Sequence, residues 1–129
     1  MNSIIYSILI VSKNREEDLF FTLNIIQDCA DIEKAEIIVF LDDFQGDIGY
    51  FKNLYPKITW FYSRNLNGAS KSRNLLFSKA IGNYLIGFDD DANPVNFDFL
   101  LRTKNIFESD EEIAIVAYRE IKGKTILSS

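Results

Sequence analysis

Short apolar runs alternate with polar turns and helical periodicity along this chain. Ile4–Val11 is a nearly continuous apolar run, the pattern of a central strand buried on both faces of a parallel sheet. The chain then turns polar at Ser12-Lys13-Asn14-Arg15, and Leu19, Leu23 and Ile26 recur at helical spacing, which predicts a helix over 15–29. Asn14 with Glu17 three residues on has the form of a capping box, and Glu16, Glu17 and Asp18 suit the positive end of the helix dipole. Glu36–Leu41 predicts a second strand ending in Asp42-Asp43, Ile48–Tyr55 a short helix stopped by Pro56, and Ile58–Ser63 a third strand. A polar stretch over 64–70 leads into a helix reaching about Ile81, with Gly82 placed as its C-terminal cap. Tyr84–Phe88 predicts a fourth strand, which runs into Asp89-Asp90-Asp91 and a turn at Pro94. Phe97, Leu100, Leu101 and Phe107 mark a further helix, which Asn96 caps if the acidic run is only a solvated turn, Ile113–Ile121 a last strand, and 122–129 a frayed tail.

This alternation predicts an α/β fold, a mostly parallel open sheet flanked by helices on both faces. No repeat, linker or shift in composition divides residues 1–129, so one domain is expected. Hydrophobic residues make up 47% of the chain, enough for a packed core. The net charge of −5 argues against a nucleic-acid partner, and any anionic ligand must be met by a few local cations or a metal. The single cysteine, Cys29, excludes an internal disulfide and reads as a small buried residue. There is no histidine, so the commonest metal ligand and general base is missing. No apolar run is long enough to span a bilayer and no signal-peptide pattern opens the chain, so a cytoplasmic location is expected.

Chemistry enters where strands end. Three expected strands finish in polar groups: Ser12-Lys13-Asn14, Asp42-Asp43 and Asp89-Asp90-Asp91. Ligands of open α/β sheets bind beyond the carboxyl ends of the strands, so these groups share one crevice if the first, second and fourth strands are neighbours. Three adjacent aspartates repel one another, and Mg2+ or Mn2+ would offset that repulsion; a solvated acidic turn is the plainer alternative. Lys71 and Arg73 follow Asn67-Gly68-Ala69-Ser70 in what reads as the first turn of a helix, where cations oppose the dipole. Either they reach into solvent, or they serve an anion site at that helix start.

Four segments then carry a resemblance. Ser7-Ile-Leu-Ile-Val-Ser-Lys-Asn14-Arg15 resembles the opening strand and Asn-Arg turn of family 2 glycosyltransferases of the GT-A fold, a Rossmann-like nucleotide-diphospho-sugar transferase architecture. Glu36–Asp43 is similar to their second strand with its acidic pair, Asn67-Gly68-Ala-Ser70-Lys-Ser-Arg73-Asn74 to their Asn-x-Gly-x-Ser-x-Ala-Arg-Asn helix start, and 82–91 to the strand leading into their D-x-D motif. The resemblance implies a nucleotide-diphosphate sugar donor, UDP-linked, and a glycan or lipid-linked acceptor. It implies that Asp89 and Asp91 hold Mg2+ or Mn2+, and that Ser12, Asn14, Arg15, Asp42, Asp43, Gly68, Lys71, Arg73, Asp89 and Asp90 line the donor site. Asp42 falls on the base-contacting acid without a gap, while Asp43 does so with one inserted residue. The chemistry implied is direct displacement with inversion, a carboxylate base taking the acceptor's proton.

The chain also departs from the pattern. Val11-Ser12-Lys13 stands where family members usually carry Pro, a small residue and Tyr, and Phe44-Gln45, or Asp43-Phe44 in the ungapped register, where Gly-Ser is usual; both leave the nucleobase open. Ser72 replaces the alanine before Arg73. Family enzymes continue into an acceptor-binding half that supplies the base, and Glu108, Asp110, Glu111 and Glu112 read as surface acids rather than as that base. A truncated or non-catalytic nucleotide-sugar-binding module is therefore the alternative, and peripheral association with a membrane's cytoplasmic face stays open. A receiver-like phosphoacceptor domain would need an acidic pair after the first strand, where Ser12-Lys13-Asn14 stands. No GxGxxG run follows that strand to suggest a dinucleotide fold.

Overall fold

The computed structural model describes residues 4–90, 97–109, 115–118 and 127–128. Its strands are β1 (Tyr6–Ser12), β2 (Ala35–Leu41), β3 (Thr59–Tyr62), β4 (Tyr84–Asp89), β5 (Ile115–Tyr118) and β6 (Leu127–Ser128). The helices are α1 (Glu16–Gln27), α2 (Ile48–Leu54), α3 (Ala69–Lys79) and α4 (Phe99–Ser109). The sheet order is β3-β2-β1-β4-β5-β6, parallel throughout except for the antiparallel β5–β6 pair. The expected mostly parallel sheet is therefore present, with β1 seated between β2 and β4.

Alternation along β1 explains why its apolar run is unbroken. Tyr6, Ile8 and Ile10 face one layer, where they pack with Leu19, Leu23 and Ile26 of α1, Phe51 of α2 and Phe99 and Leu100 of α4. Leu9 points to the opposite face and packs with Ile38, Phe40 and Leu76 of α3. Both faces are thus covered, three helices on one side and α3 on the other. The crossovers β1–α1–β2 and β3–α3–β4 run in opposite directions along the sheet, which opens a crevice between β1 and its neighbours. Among the described residues no helix is long and apolar enough to cross a membrane.

Several local expectations are corrected. Asn14 does not cap α1 in a capping box: it adopts a left-handed φ of 56°, and Arg15 takes the cap position with no side-chain cap bond. Asparagine tolerates that backbone region, so the residue serves the turn rather than the helix. Gly82 is not a left-handed cap either, since α3 ends at Lys79 with Ala80 extended. It allows close approach instead, because a Cβ there would stand 2.7 Å from the backbone nitrogen of Ser7. Phe97 precedes α4 and is 67% exposed, and Leu101 is exposed too, so the buried face is Phe99, Leu100 and Thr103. Leu127–Ser128 pair with Ala117 and Tyr118 where a frayed tail was expected. Pro94, Asn96, Asp110, Glu111, Glu112 and the outer parts of the expected last strand lie outside the described residues.

Cys29 lies two residues beyond α1, buried as expected, with its thiol 3.4 Å from the carbonyl of Ile25. Burial, aided by the charge of Asp28, pushes that thiol up to about 11.

Candidate functional site

The sheet register brings the strand ends together. Ser12 pairs with Leu41 at the end of β2, and Val11 pairs with Asp89 at the end of β4. Asp42 and Asp90, each one residue past its strand, therefore flank the end of β1. A cleft of about 350 Å³ opens there. Val11, Lys13 and Arg15 line it from β1 and the following turn, Asp42 from β2, and Asp90 from β4. Leu66, Gly68, Ala69 and Arg73 close it from the start of α3.

Asp42 is 3% exposed, and its two carboxylate oxygens accept the backbone N–H groups of Asn67 (2.8 Å) and Gly68 (3.0 Å). A buried carboxylate needs such donors, and here they shape the loop that enters α3. Gly68 has φ 89° and ψ 157°, a region essentially restricted to glycine. Its carbonyl accepts both the amide (3.1 Å) and the hydroxyl (2.8 Å) of Ser72, so the serine at that position reinforces the first turn. Arg64 fastens the same loop from outside. Its Nη1 donates to the carbonyls of Phe44 (3.1 Å) and Gly46 (2.7 Å), and its guanidinium stacks on Phe44 and Tyr62.

The acidic triplet divides. Asp89 is half-exposed and pairs with Arg73 at 3.7 Å. Asp90 is 8% exposed and faces β1 and α1: the Ser12 hydroxyl donates to its Oδ2 at 2.9 Å, and Arg15 Nη1 lies 3.7 Å from its Oδ1. Asp91 lies outside the described residues.

Of the ten residues expected around the donor, Arg15, Asp42, Gly68, Arg73 and Asp90 line the cleft. Ser12 and Asp89 stand behind it through Asp90 and Arg73. Asn14, Asp43 and Lys71 are not among the lining residues. Asp43 has a left-handed φ of 50° and accepts from Gln45 at 3.2 Å. Lys71 is exposed in the first turn of α3, whereas Arg73 begins the second turn, not the first. Lys13 was visible only as part of a polar strand end, and Val11, Leu66 and Ala69 were missed. Leu66, 61% exposed in an otherwise polar loop, carried the one available signal.

Three cations and two carboxylates line the cleft, a local positive excess in a chain of net charge −5. Together with the α3 N-terminus, this suits a multiply charged anion. A hard divalent ion is compatible with the oxygen donors present. Among the described residues no three metal-binding side chains cluster, yet Mg2+ is commonly held by one or two carboxylates plus substrate phosphates and water. Asp89 is a described carboxylate of that kind.

Known proteins share this fold. The family model described as "Glycosyl transferase family 2" matches residues 7–127. No curated protein matches. Among solved structures, S. aureus TarS 1-349 in complex with UDP is 17% identical with a TM-score of 0.71, covering 84% of this chain and 33% of that one. The same TarS fragment in complex with UDP-GlcNAc is 19% identical, with a TM-score of 0.67 over 84% of this chain and 32% of that one. Mannosyltransferase PcManGT from Pyrobaculum calidifontis, in complex with GDP-Man and Mn2+, is 16% identical with a TM-score of 0.62, over 78% of this chain and 31% of that one. At these identities the likeness shows the shared GT-A fold, and the chain spans about a third of those structures or less.

Proposed function

The chain belongs to glycosyl transferase family 2, and from that premise we propose that residues 1–129 form the donor-binding part of a metal-dependent, inverting glycosyltransferase. The donor is a nucleotide-diphosphate sugar, UDP-linked, and the acceptor is a glycan or lipid-linked sugar, reached in the cytoplasm or at a membrane's cytoplasmic face. One observation carries the reading: Lys13, Arg15 and Arg73 converge on a cleft at the strand ends, beside Asp42 and the α3 N-terminus. The solved relatives hold UDP, UDP-GlcNAc or GDP-Man on the same fold, which supports the donor class.

In this reading Arg73 and Arg15 meet the diphosphate, with the Gly68–Ala69 backbone approaching it closely. Asp42 faces the nucleoside in preference to Asp43, which does not line the cleft. Mg2+ or Mn2+, held by Asp89 and Asp91, would supply neutralisation of the departing diphosphate. Transfer joins the acceptor oxygen to the anomeric carbon, breaks the bond from that carbon to the phosphate oxygen, and passes the hydroxyl proton to a base. Asp42 is committed to two amides and Asp90 to Ser12 and Arg15, so we place that base outside the described residues.

Calorimetric titration with UDP, GDP and UDP-sugars, in Mn2+ and then in EDTA, tests the reading. Metal-dependent binding of one nucleotide is the expected result, and no binding of any of them overturns it. The commitment of Asp42 and Asp90 to partners within the chain favours a second reading, a nucleotide-sugar-binding module without turnover. Donor hydrolysis or transfer separates the two, since a module binds the donor and leaves it intact.

A further inference from the structure

We propose that Asp90 is a positioning residue that holds the Arg15 guanidinium at the cleft, so that Arg15 meets the diphosphate as a fixed donor. The inference rests on the donor-binding reading above and assigns a separate task to the middle residue of the acidic triplet. Asp90 is nearly buried, and a buried carboxylate is stable only where its oxygens are satisfied. One oxygen takes the hydroxyl of Ser12, itself buried, and the other faces Arg15 at 3.7 Å. The main-chain carbonyl of Asp90 is fixed as well, accepting the buried Thr22 hydroxyl at 2.9 Å. Asp90 therefore joins the end of β1, the start of α1 and the body of α1, and its carboxylate cannot swing outward without breaking the Ser12 bond.

Arg15 is half-exposed and borders the cleft. A long cationic side chain free in solvent loses rotamer entropy when it binds an anion, and a buried carboxylate that fixes one side of the guanidinium reduces that cost. Asp89 has the opposite disposition, half-exposed and paired with Arg73 at 3.7 Å. Adjacent acids of the triplet thus serve different arginines.

The test is a double-mutant cycle read as the dissociation constant of UDP or GDP, whichever the wild type binds, in Mn2+. Asp90→Asn keeps an acceptor for Ser12 and the main-chain bond to Thr22, yet removes the charge facing Arg15. We expect Asp90→Asn and Arg15→Gln each to weaken binding about five- to tenfold, and the double variant to bind no worse than Arg15→Gln alone. A purely structural role for Asp90 predicts instead that its effect persists in full in the Arg15→Gln background, and that result overturns the proposal. Arg15→Gln alters only a half-exposed side chain, so wild-type affinity in that variant overturns it even if Asp90→Asn fails to fold. Absence of binding by the wild type is a different failure, because it removes the donor-binding reading itself.

Discussion

The carboxylate of Asp42 accepts the amide of Gly68 at 3.0 Å, tying the end of β2 to the first residue before α3 across 26 positions of sequence. Its other oxygen accepts the Asn67 amide at 2.8 Å. The helix start that faces the cleft is therefore held by a side chain from another strand. Asp42→Asn keeps the size and replaces one acceptor oxygen with an N–H donor, which opposes one of those amides. We expect a loss of about 1–3 kcal/mol in stability by urea denaturation, the cost of leaving a buried donor unpaired. Wild-type stability would show that the loop does not depend on this carboxylate.

Gly68 tests the same loop through its backbone. Nothing lies within 4 Å of a Cβ placed there, so Gly68→Ala introduces no clash. It does force a side chain into φ 89°, ψ 157°, at a cost of order 1–3 kcal/mol. A fall in the urea midpoint at constant slope is the expected signature. An unshifted midpoint would mean that the loop relaxes to another conformation, and nucleotide affinity should then fall instead.

Much of this frame is legible in the residues alone. The unbroken run of β1 reports two covered faces, and Ile8 and Leu9 do pack on opposite layers. The polar strand ends announce the crevice, because parallel order places them side by side. Other features depend on contacts that no local pattern encodes. Periodicity marks α4 but not where it starts: Phe97, expected within that helix, precedes it and is exposed. Asn14 has the chemistry of a cap, yet the turn bends it into left-handed space and shifts the cap to Arg15. Asp42 and Asp43 are equivalent as acids, and the backbone turn at Asp43 decides which one enters the cleft. The inward turn of Asp90 is set by Ser12, 78 residues earlier.

Alkaline pH should weaken the fold through the buried thiol and phenols. Burial raises the Cys29 thiol to about 11, and burial likewise raises the phenols of Tyr6 and Tyr55 above their usual value. These groups lose protons more readily unfolded than folded, so the stability they contribute is intact below their unfolded pKa values. It is lost as pH rises through the folded values. For Cys29 the window runs from the unfolded thiol value, near 8.5, to about 11. Urea midpoints measured at pH 7, 9 and 10.5 should fall across that range, and a flat profile would contradict the burial of these groups. The native thiol should also react slowly with an alkylating reagent at pH 8, and at the free-cysteine rate once the chain is unfolded.

Arg73 separates binding from folding most cleanly. It is half-exposed, and its pair with the half-exposed Asp89 at 3.7 Å is of the solvent-screened kind that contributes about 0–1 kcal/mol. Arg73→Ala should therefore leave the urea midpoint nearly unchanged. Its side chain nevertheless lines the cleft in the second turn of α3, within reach of an anion at the helix start. A charge-assisted hydrogen bond to phosphate is worth about 1.5–3 kcal/mol, so removing it should weaken nucleoside-diphosphate binding roughly tenfold or more, even at saturating Mn2+. Nucleoside affinity, without the phosphates, should hardly change in the same variant. An equal loss for nucleoside and diphosphate would place Arg73 at the base rather than the phosphates, and no loss for either would remove it from the site.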